Sequence, residues 1–357
     1  MKIAICAPLD LNGAGGVETH VLELAEAMRS LGPTVDVFGG IETRTARATQ
    51  ADGPTGATGS WRPMASLQPD HYHLFHTHGS AFCGRFITMA ANRRAGQRHV
   101  HTLHGVSLDY LFACRAWLNY RCYTATVIEG WCSRYADHVI AVSDNIRRCA
   151  RRCFGLPASK ISVVGNGFAP PMPGLVSAAE IRLRYGLDPA QITVIFVGRG
   201  RDPVKGTAAI ATAMNRLHGL WPDVRLLAVP GDGFEQAEWL IKTGPVNRAE
   251  MGSYYATANI FVNASLNEGM PLTVIEAMAG GLPVAAAPVG GIPRLITHER
   301  TGLLLRQDRS DLAEQLGRLI ADAELRRRLG AAARSAVQTL TWRHIARETI
   351  MVYESLW

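Results

Sequence analysis

One segment near residue 270 restricts the fold of this chain more than any other. Three apolar residues, Ile260 to Val262, predict a buried strand, and helical spacing of apolar side chains from about Leu272 predicts a helix. One carboxylate, Glu268, lies in the intervening loop, and a second, Glu276, follows early in the helix. The segment therefore predicts a strand, a loop and a helix start, which is the basic unit of a parallel α/β sheet.

This strand–loop–helix unit also predicts a kind of ligand. The first amides of a helix have no internal partner and carry the positive end of the helix dipole, which suits a phosphate. Carboxylates accept hydrogen bonds from hydroxyl groups. Phosphate and hydroxyls together indicate a sugar nucleotide. An alternative stays open for Glu276, because Thr273 and Glu276 have the spacing of a helix capping box.

Length and composition limit the class of protein. The 357 residues fit two domains, and 47% apolar with 19% charged residues is typical of globular proteins. The net charge of +7 is not arranged in Lys/Arg runs with aromatics, which argues against nucleic acid as a partner. We find no apolar stretch long enough for a transmembrane helix and no signal peptide pattern. Seven cysteines without an export signal predict reduced thiols in a cytoplasmic protein.

The N-terminal half begins with a βαβ pattern. A strand is predicted at Lys2–Ala7, a helix at Val17–Arg29 and a strand at Thr34–Phe38, which together favour a doubly wound sheet. A glycine loop at residues 12–16 joins the first two elements. It fails the dinucleotide fingerprint because Glu18 stands where the third glycine is needed. Close approach of a ligand and a plain tight turn both remain open for this loop. Residues 43–60, which are small and polar, predict a mobile surface loop.

Histidines cluster at the ends of two further predicted strands, at Phe75–Gly79 and at His101–Gly105. A metal site is one interpretation, but no cysteine or carboxylate accompanies the histidines at ligand spacing. We favour two strand ends that open onto one ligand cleft, and we predict no metal. The histidines of this region are His71, His73, His76, His78, His99, His101 and His104.

An arginine-rich helix is predicted at residues 145–154, after a strand at Val139–Val142 and a cap at Ser143 or Asp144. Its four arginines predict either a solvated face or contact with anionic lipid. We expect Cys149 and Cys153 of this helix to be buried. Residues 1–169 contain 17 Lys+Arg and 12 Asp+Glu, whereas the remainder contains 20 and 18. The basic excess therefore lies mainly in the N-terminal half, which could face an anionic acceptor or a membrane.

A Pro-rich run after Gly167 predicts a linker, and the strand–helix pattern then starts again. The strand at Ile192–Val197 leads into a loop that resembles a P-loop but has the order Lys-Gly-Thr, so we reject that motif. Two cations of this loop, Arg199 and Lys205, suit a diphosphate, while Arg201 is expected to be solvated.

At this point the chain resembles retaining glycosyltransferases of family 4, which have the GT-B fold. The resemblance extends from end to end. The resemblance is strongest in the segment with Glu268 and Glu276. The segments that carry the resemblance are GGVETHVLELAEAM, ADHVIAVSDNIRR, NGF, FVGRGRDPVKG, YYATANIFVNASLNEGMPLTVIEAMAGGLPV, TGLLL and WRHIARETIMVYESL.

The resemblance implies two Rossmann-like, doubly wound domains that face a central cleft. Residues 1–169 would form the acceptor-binding domain and residues 170–339 the nucleotide-sugar domain, with a helix at 340–357 that returns to the first. The catalytic set would be His104, Glu268, Arg199 and Lys205. The donor would be held by Gly15, Gly16, Arg199, Lys205, Gly231, Val246, Glu268, Gly269, Met270, Pro271, Leu272, Thr273 and Glu276.

The implied function is transfer of a sugar from a UDP- or GDP-linked donor to an acceptor hydroxyl, with retention and without a metal or other cofactor. The absence of an Asp-x-Asp motif agrees with metal independence. The acceptor would be a sugar, a lipid-linked compound or a small molecule, and the protein would be cytoplasmic or peripheral at the inner membrane face. Two alternatives stay open: an epimerase or hydrolase acting on a sugar nucleotide, and a non-catalytic nucleotide-sugar-binding subunit.

Overall fold

The structure is a computed structural model, and it describes residues 1–7, 15–40, 61–79, 96–114, 120–169 and 176–357. The chain forms two compact units. The N-terminal unit comprises Met1–Gly167 together with Trp342–Trp357, and the C-terminal unit comprises Phe168–Thr341. The predicted surface loop at 43–60 lies outside the described residues. None of the described helices combines the length and apolar character that crossing a bilayer requires.

The N-terminal unit is built on a parallel sheet in which the described strands number seven. Their order across the sheet is β3-β2-β1-β4-β5-β6-β7. The strands are β1 Lys2–Cys6, β2 Thr34–Gly39, β3 Arg62–Pro63, β4 Leu74–His78, β5 Arg98–Leu103, β6 His138–Ala141 and β7 Ile161–Val163. The helices that follow these strands are α1 Gly16–Arg29, α2 Ser107–Cys114, α3 Tyr120–Tyr135 and α4 Asp144–Phe154.

The C-terminal unit repeats this plan with a parallel sheet of six described strands, in the order β10-β9-β8-β11-β12-β13. The strands are β8 Thr193–Gly198, β9 Arg225–Pro230, β10 Leu240–Lys242, β11 Ile260–Asn263, β12 Val284–Ala286 and β13 Leu303–Leu304. The helices are α5 Ala178–Tyr185, α6 Thr207–Leu220, α7 Met251–Thr257, α8 Leu272–Ala279, α9 Ile292–Leu295, α10 Leu312–Ala321 and α11 Ala323–Val337. The predicted α/β fold with two doubly wound sheets is confirmed.

Burial on both faces of the sheet explains why the central strands are apolar throughout. In β8, Val194 and Phe196 enter the core on one face, while Ile195 enters the core on the other. A strand covered by helices on both sides cannot alternate apolar and polar residues, because both faces are dry. The same physics applies to β1, where Ile3, Ala4, Ile5 and Cys6 are all buried.

The last helix, α12 (Trp342–Glu354), belongs to the N-terminal unit, where it packs against α1. The hydroxyl of Tyr353 lies 2.5 Å from Nδ1 of His76, and both groups are buried. Beyond the helix, Nε of Arg98 donates a hydrogen bond to the carbonyl oxygen of Leu356 at 2.9 Å. The final residues of the chain are thus part of the structure that residues 1–167 begin.

Several elements differ from the sequence-based expectation. The apolar segment Thr301–Leu305 predicts a strand of five residues, but the strand is limited to β13, Leu303–Leu304. Four short elements were not predicted: the strands β3 and β10 and the helices α5 and α9. Three of them, β3, β10 and α9, have only two to four residues, which is too few to show a periodicity. The start of α5 was readable, since Ser177 and Glu180 form a complete capping box. The expectation of buried thiols is wrong for Cys153, which is exposed, and Cys149 is only half-buried.

The sheet order places a topological switch point in each unit. Strand connections change direction between β1 and β4 in the N-terminal unit and between β8 and β11 in the C-terminal unit. In open α/β sheets, ligands bind outside the carboxyl ends of the strands at such a point. A site is therefore expected after β1 and β4 in the N-terminal unit and after β8 and β11 in the C-terminal unit, and residues 8–14 after β1 lie outside the described residues.

Candidate functional site

The two loops at the switch point of the C-terminal unit are joined through their backbones. The amide of Leu266, after β11, donates to the carbonyl oxygen of Val204, after β8, at 2.7 Å. Gly206 adopts a left-handed conformation, and a Cβ there would lie 2.1 Å from the carbonyl oxygen of Ala264. A side chain at position 206 would push the loops apart, so this glycine fixes the distance between Lys205 and the loop that holds Glu268.

An ion pair connects two of the predicted catalytic residues. Nζ of Lys205 lies 2.8 Å from Oε1 of Glu268, and the side chains are 22% and 11% exposed. The hydroxyl of Ser265 donates to the same carboxylate oxygen at 2.7 Å. Glu268 thus has two side-chain partners in the protein. Both partners bond Oε1, so Oε2 of Glu268 and the remaining N–H donors of the Lys205 ammonium keep capacity for a ligand.

The Glu268 loop is also held from its other side. Gly290 has a positive φ, and a Cβ there would lie 2.0 Å from the carbonyl oxygen of Glu268. The amide of Gly291 donates to the carbonyl oxygen of Gly269 at 2.8 Å. The Arg309 guanidinium donates to the carbonyl oxygens of Ala264 and Ser265, at 3.2 and 2.8 Å. Sequence reasoning missed Arg309, which is 44 residues from Ser265 and is brought there by the fold.

Helix α8 begins directly after this loop, and the capping-box alternative for Glu276 is wrong. The N-cap is Pro271, which makes no side-chain cap, and α8 starts at Leu272. Glu276 is therefore the fifth helical residue, beyond the third position that a capping box uses. The predicted donor-binding positions Gly269, Met270 and Thr273 all lie in the loop and first turn. Since no side chain caps this end, its amides remain suited to an anion.

The Glu276 carboxylate is held by two side chains that the sequence did not reveal. The hydroxyl of Tyr255 donates to Oε2 at 2.9 Å, and Nη2 of Arg248 lies 2.6 Å from Oε1. Burial, followed by the neighbouring Glu276 charge, raises the pKa of Tyr255 well above its ordinary value. The phenol therefore stays protonated and continues to donate. This arrangement fixes the orientation of the carboxylate that was predicted to bind a ribose.

The other predicted donor positions lie in neighbouring loops at the same edge of the sheet. Gly231 follows β9 and Val246 follows β10, and the two loops are joined by a 3.0 Å hydrogen bond from the amide of Gly244 to the carbonyl of Pro230. Asp232 accepts a hydrogen bond from the amide of Gly200 at 3.0 Å. Arg199, next to Gly200, is exposed. The structure thus gathers the predicted donor residues of this unit at the carboxyl ends of β8 to β11.

In the N-terminal unit, the ends of β4 and β5 carry a network of neutral histidines. Nδ1 of His78 lies 3.1 Å from Nε2 of His104, and Nε2 of His76 lies 2.6 Å from the hydroxyl of Thr102. Burial lowers the pKa of His101 to about 4 and lowers those of His76, His78 and His104 well below the ordinary value. These imidazoles are uncharged at neutral pH, so they act as donors and acceptors rather than as cations.

The histidine network includes His20 of α1, which sequence reasoning missed. Nδ1 of His20 lies 2.8 Å from Oδ1 of Asn166, and burial lowers its pKa to about 4. Its ring packs edge-on against His104, with centroids 4.6 Å apart, and against Trp342 at 5.2 Å. Gly15 is the N-cap of α1 and Gly16 is its first residue, so both lie about one turn before His20 on the same helix. The glycine loop at 12–14 lies outside the described residues.

Among the described residues, one group of three side chains could hold a metal ion. His20, His78 and His104 each offer a nitrogen, and these atoms lie within 4.8 Å of one another. Three imidazoles suit zinc or a similar transition metal. The hydrogen bonds to Asn166 and between His78 and His104 already account for one nitrogen of each ring. The predicted absence of a metal stays a prediction.

Known proteins resemble the chain along nearly its whole length. Residues 14–170 match the family model described as Glycosyltransferase Family 4, and residues 191–322 match the model described as Glycosyl transferases group 1. The chain is 27% identical over 402 residues to a D-inositol 3-phosphate glycosyltransferase of Nocardioides sp., covering 97% of this chain and 87% of the relative.

Solved structures show the same fold. A sucrose-phosphate synthase from Thermosynechococcus elongatus superposes with a TM-score of 0.78 at 23% identity, covering 99% of this chain and 98% of that one. An Anabaena protein solved in complex with UDP-glucose has a TM-score of 0.74 at 18% identity and covers 99% of both chains.

Proposed function

We propose, on the premise that this chain is a GT-B glycosyltransferase of family 4, that it transfers a sugar from a nucleoside diphosphate donor with retention at the anomeric carbon. The observation that carries this proposal is the Lys205–Glu268 pair at the switch point of the C-terminal unit. It combines a cation for a diphosphate with a carboxylate for sugar hydroxyls, and both side chains are held in place by the protein.

The donor is a UDP- or GDP-sugar that binds along the carboxyl ends of β8 to β11. The UDP-glucose held by the Anabaena protein supports a nucleotide-sugar donor for this fold. In the proposed complex, Glu276 accepts hydrogen bonds from the ribose, with its orientation set by Tyr255 and Arg248. Gly231 and Val246 contact the base through the backbone.

Positive groups stabilise the charge that develops as the donor bond breaks. In the proposed complex, Arg199, Lys205 and the first amides of α8 face the diphosphate. Arg199 and Lys205 belong to the loop after β8, and α8 follows the loop after the neighbouring strand β11. Preorganised charges of this kind contribute most when they face an atom whose charge grows in the transition state. The negative charge on the departing diphosphate is such a case, so Lys205 assists departure without transferring a proton.

The reaction exchanges one bond at the anomeric carbon for another on the same face. The acceptor hydroxyl oxygen bonds to the anomeric carbon, the bond from that carbon to the diphosphate oxygen breaks, and the diphosphate keeps the electron pair. The hydroxyl proton passes to a phosphate oxygen of the leaving group. Glu268 orients sugar hydroxyls in this scheme, and its bonds to Lys205 and Ser265 argue against a role as nucleophile.

The acceptor is a sugar, a lipid-linked compound or a small molecule, and we place the reaction in glycan or glycolipid synthesis. The relative named for D-inositol 3-phosphate supports a hydroxylated, anionic acceptor. The excess of basic residues in the first 169 positions, 17 against 12 acids, suits such an acceptor. It also suits peripheral contact with an anionic membrane.

Incubation with UDP- and GDP-sugars, with and without acceptor, tests the proposal. We expect nucleoside diphosphate to be released only when an acceptor is present, with the product keeping the anomeric configuration of the donor. Equal release without acceptor would identify a hydrolase, and isomerised donor would identify an epimerase. Binding without any turnover would identify a non-catalytic subunit. Metal independence is tested by adding EDTA, which should leave the rate unchanged.

A further inference from the structure

Exposed apolar side chains are concentrated on one helix pair of the N-terminal unit. Large hydrophobic residues exposed singly are normal, whereas a contiguous patch marks an interaction surface. In the described part of the chain eleven such residues are exposed, and six of them belong to α2 and α3. These six, which we call the aromatic stripe, are Phe112, Tyr120, Tyr123, Val127, Trp131 and Tyr135.

The five stripe residues on α3 follow the period of a helix. Steps of three or four residues connect Tyr120 to Tyr135, so the side chains lie along one line of the helix surface. Their exposed fractions range from 43% to 72%. The opposite side of α3 is buried at Glu129, Cys132 and Ser133. The helix therefore uses one face for the core and presents a second, mostly aromatic face to solvent.

A basic helix lies directly beside the stripe. Helix α4 contacts α3 where a Cβ on Gly130 would lie 3.0 Å from the ring of Phe154, and Nε of Arg134 donates to the carbonyl oxygen of Phe154 at 3.1 Å. The solvent face of α4 carries four exposed arginines. They are Arg147, Arg148, Arg151 and Arg152.

Among the described residues, three acidic side chains lie near this face, and one of them pairs with an arginine of α4. Asp144 pairs with Arg147 at 2.7 Å. Glu129 is buried and accepts hydrogen bonds from the amide and the hydroxyl of Ser107, so it does not face solvent. Asp109 lies near the thiol of Cys149 on the inner side of α4 and helps to raise the pKa of that thiol to about 12, an effect dominated by burial.

We propose that the aromatic stripe and the α4 arginines form one docking face for the surface of an anionic lipid bilayer. Tyr and Trp have an apolar ring and a polar tip, which suits the headgroup level of a membrane. Guanidinium groups beside them attract anionic headgroups. Stable peripheral binding needs both an apolar and a charged signal, and this face supplies the two on adjacent helices. This proposal rests on the proposed function and extends it, because it identifies the surface through which the enzyme reaches a lipid-linked acceptor in a membrane.

Sedimentation with vesicles tests the docking face on the full chain. We expect the protein to bind vesicles of phosphatidylcholine mixed with phosphatidylglycerol and to stay in solution with phosphatidylcholine alone. The stripe variant Tyr120→Ser/Val127→Ser/Trp131→Ser should lose at least about tenfold in partition coefficient. The charge variant Arg148→Gln/Arg151→Gln/Arg152→Gln should lose roughly fivefold for each guanidinium removed, and the loss should shrink at high salt.

Matched controls come from the C-terminal unit, which has similar residues outside the docking face. Leu183→Ser/Leu220→Ser removes two exposed leucines, and Arg327→Gln/Arg328→Gln removes two arginines of α11. Both should bind anionic vesicles as the wild type does. Circular dichroism establishes that each variant is folded. Equal losses of vesicle binding in the control and stripe variants would overturn the proposal. Failure of the wild-type protein to bind anionic vesicles would also overturn it.

Two further measurements separate the docking face from other occupants and from the enzymatic proposal. The fluorescence of Trp131, measured as the difference between the wild type and Trp131→Phe, should be quenched by brominated lipids. Absence of quenching overturns membrane docking. A stripe-dependent dimer, or stripe-dependent binding to RNA, without vesicle binding would identify a different partner and also overturns it. Donor binding, measured by thermal shift without vesicles, should survive in every docking variant. Vesicle binding without glycosyl transfer would therefore reject the proposed function alone.

Discussion

The two units use the same parallel-sheet plan but place opposite chemistry at their switch points. In the N-terminal unit, the ends of β4 and β5 carry uncharged imidazoles that bond to one another and to Thr102 and Tyr353, and His20 of α1 adds an uncharged imidazole bonded to Asn166. In the C-terminal unit, Lys205 and Glu268 form an ion pair between the loops after β8 and β11, and Arg248, after β10, forms another with Glu276 of α8. Topology therefore fixes where a site lies, while local side chains decide its charge.

Burial explains the difference. A buried imidazole can lose its charge at low cost and remain a hydrogen-bond partner, so dry surroundings lower its pKa. In the C-terminal unit, Lys205 and Glu268 form an ion pair at the end of a sheet, and part of each side chain reaches solvent. The N-terminal network is thus suited to uncharged hydroxyl groups, and the C-terminal loops are suited to a diphosphate.

The largest expected effect comes from acid, which should break the neutral network selectively. His20 and His101 have a pKa of about 4 when folded and about 6.5 when unfolded, so the unfolded chain binds more protons between these values. Stability is complete above pH 6.5 and falls toward pH 4, by about 2 kcal/mol per histidine between pH 7 and pH 5. Hydrogen exchange at both pH values, corrected for intrinsic rates, should show loss of protection mainly in the N-terminal unit. Equal loss in both units would contradict this expectation.

The second effect tests the charged loops. Lys205→Ala removes the cation proposed for the diphosphate and leaves Glu268 without its ionic partner, so kcat/KM should fall by about 10² to 10³-fold. Arg201→Ala is the matched control, because Arg201 lies in the same loop and is exposed. It should retain nearly wild-type activity. Similar steady-state kinetics for the two variants would remove Lys205 from the proposed site.

A smaller effect is expected from the contact that joins the last helix to the histidines. Tyr353→Phe deletes the hydroxyl beside Nδ1 of His76 and leaves a buried ring nitrogen without that partner. The free energy of unfolding should fall by about 2 kcal/mol in urea titrations. Tyr120→Phe, which changes a hydroxyl on a side chain that is 72% exposed, should have no such effect. An unchanged midpoint for Tyr353→Phe would show that the network does not depend on α12.

The smallest effect concerns the orientation of Glu276. Tyr255→Phe removes one of the two side-chain contacts to the carboxylate and leaves Arg248 in place. We expect the KM for the donor to rise about fivefold with little change in kcat, because ribose binding is the same in ground and transition states. Tyr254→Phe is the control on the same helix, since its hydroxyl contacts Tyr185 instead. A lower kcat with unchanged KM would argue that Glu276 acts on the reacting sugar.

The local pattern of apolar residues in the sequence determined the type and position of many strands and helices. Apolar runs such as Ile260–Val262 and the spacing of Val21, Leu24 and Met28 predicted strand and helix correctly, because burial selects residues at the period of each element. These local features could be predicted because each depends on neighbours within a few residues. The placement of Lys205 and Glu268 at one site, by contrast, was implied only by the resemblance to family 4, since the two residues are 63 positions apart.

Only the tertiary structure decided which distant side chains complete the two sites. Arg309 supports the Glu268 loop, Tyr255 and Arg248 hold Glu276, and Trp342 and Tyr353 reach the histidines from the end of the chain. Periodicity carries no information about such contacts, since sheet order and helix packing bring them together across as many as 322 residues. The same holds for the aromatic stripe, because a sequence shows apolar residues but only packing shows which of them stay exposed.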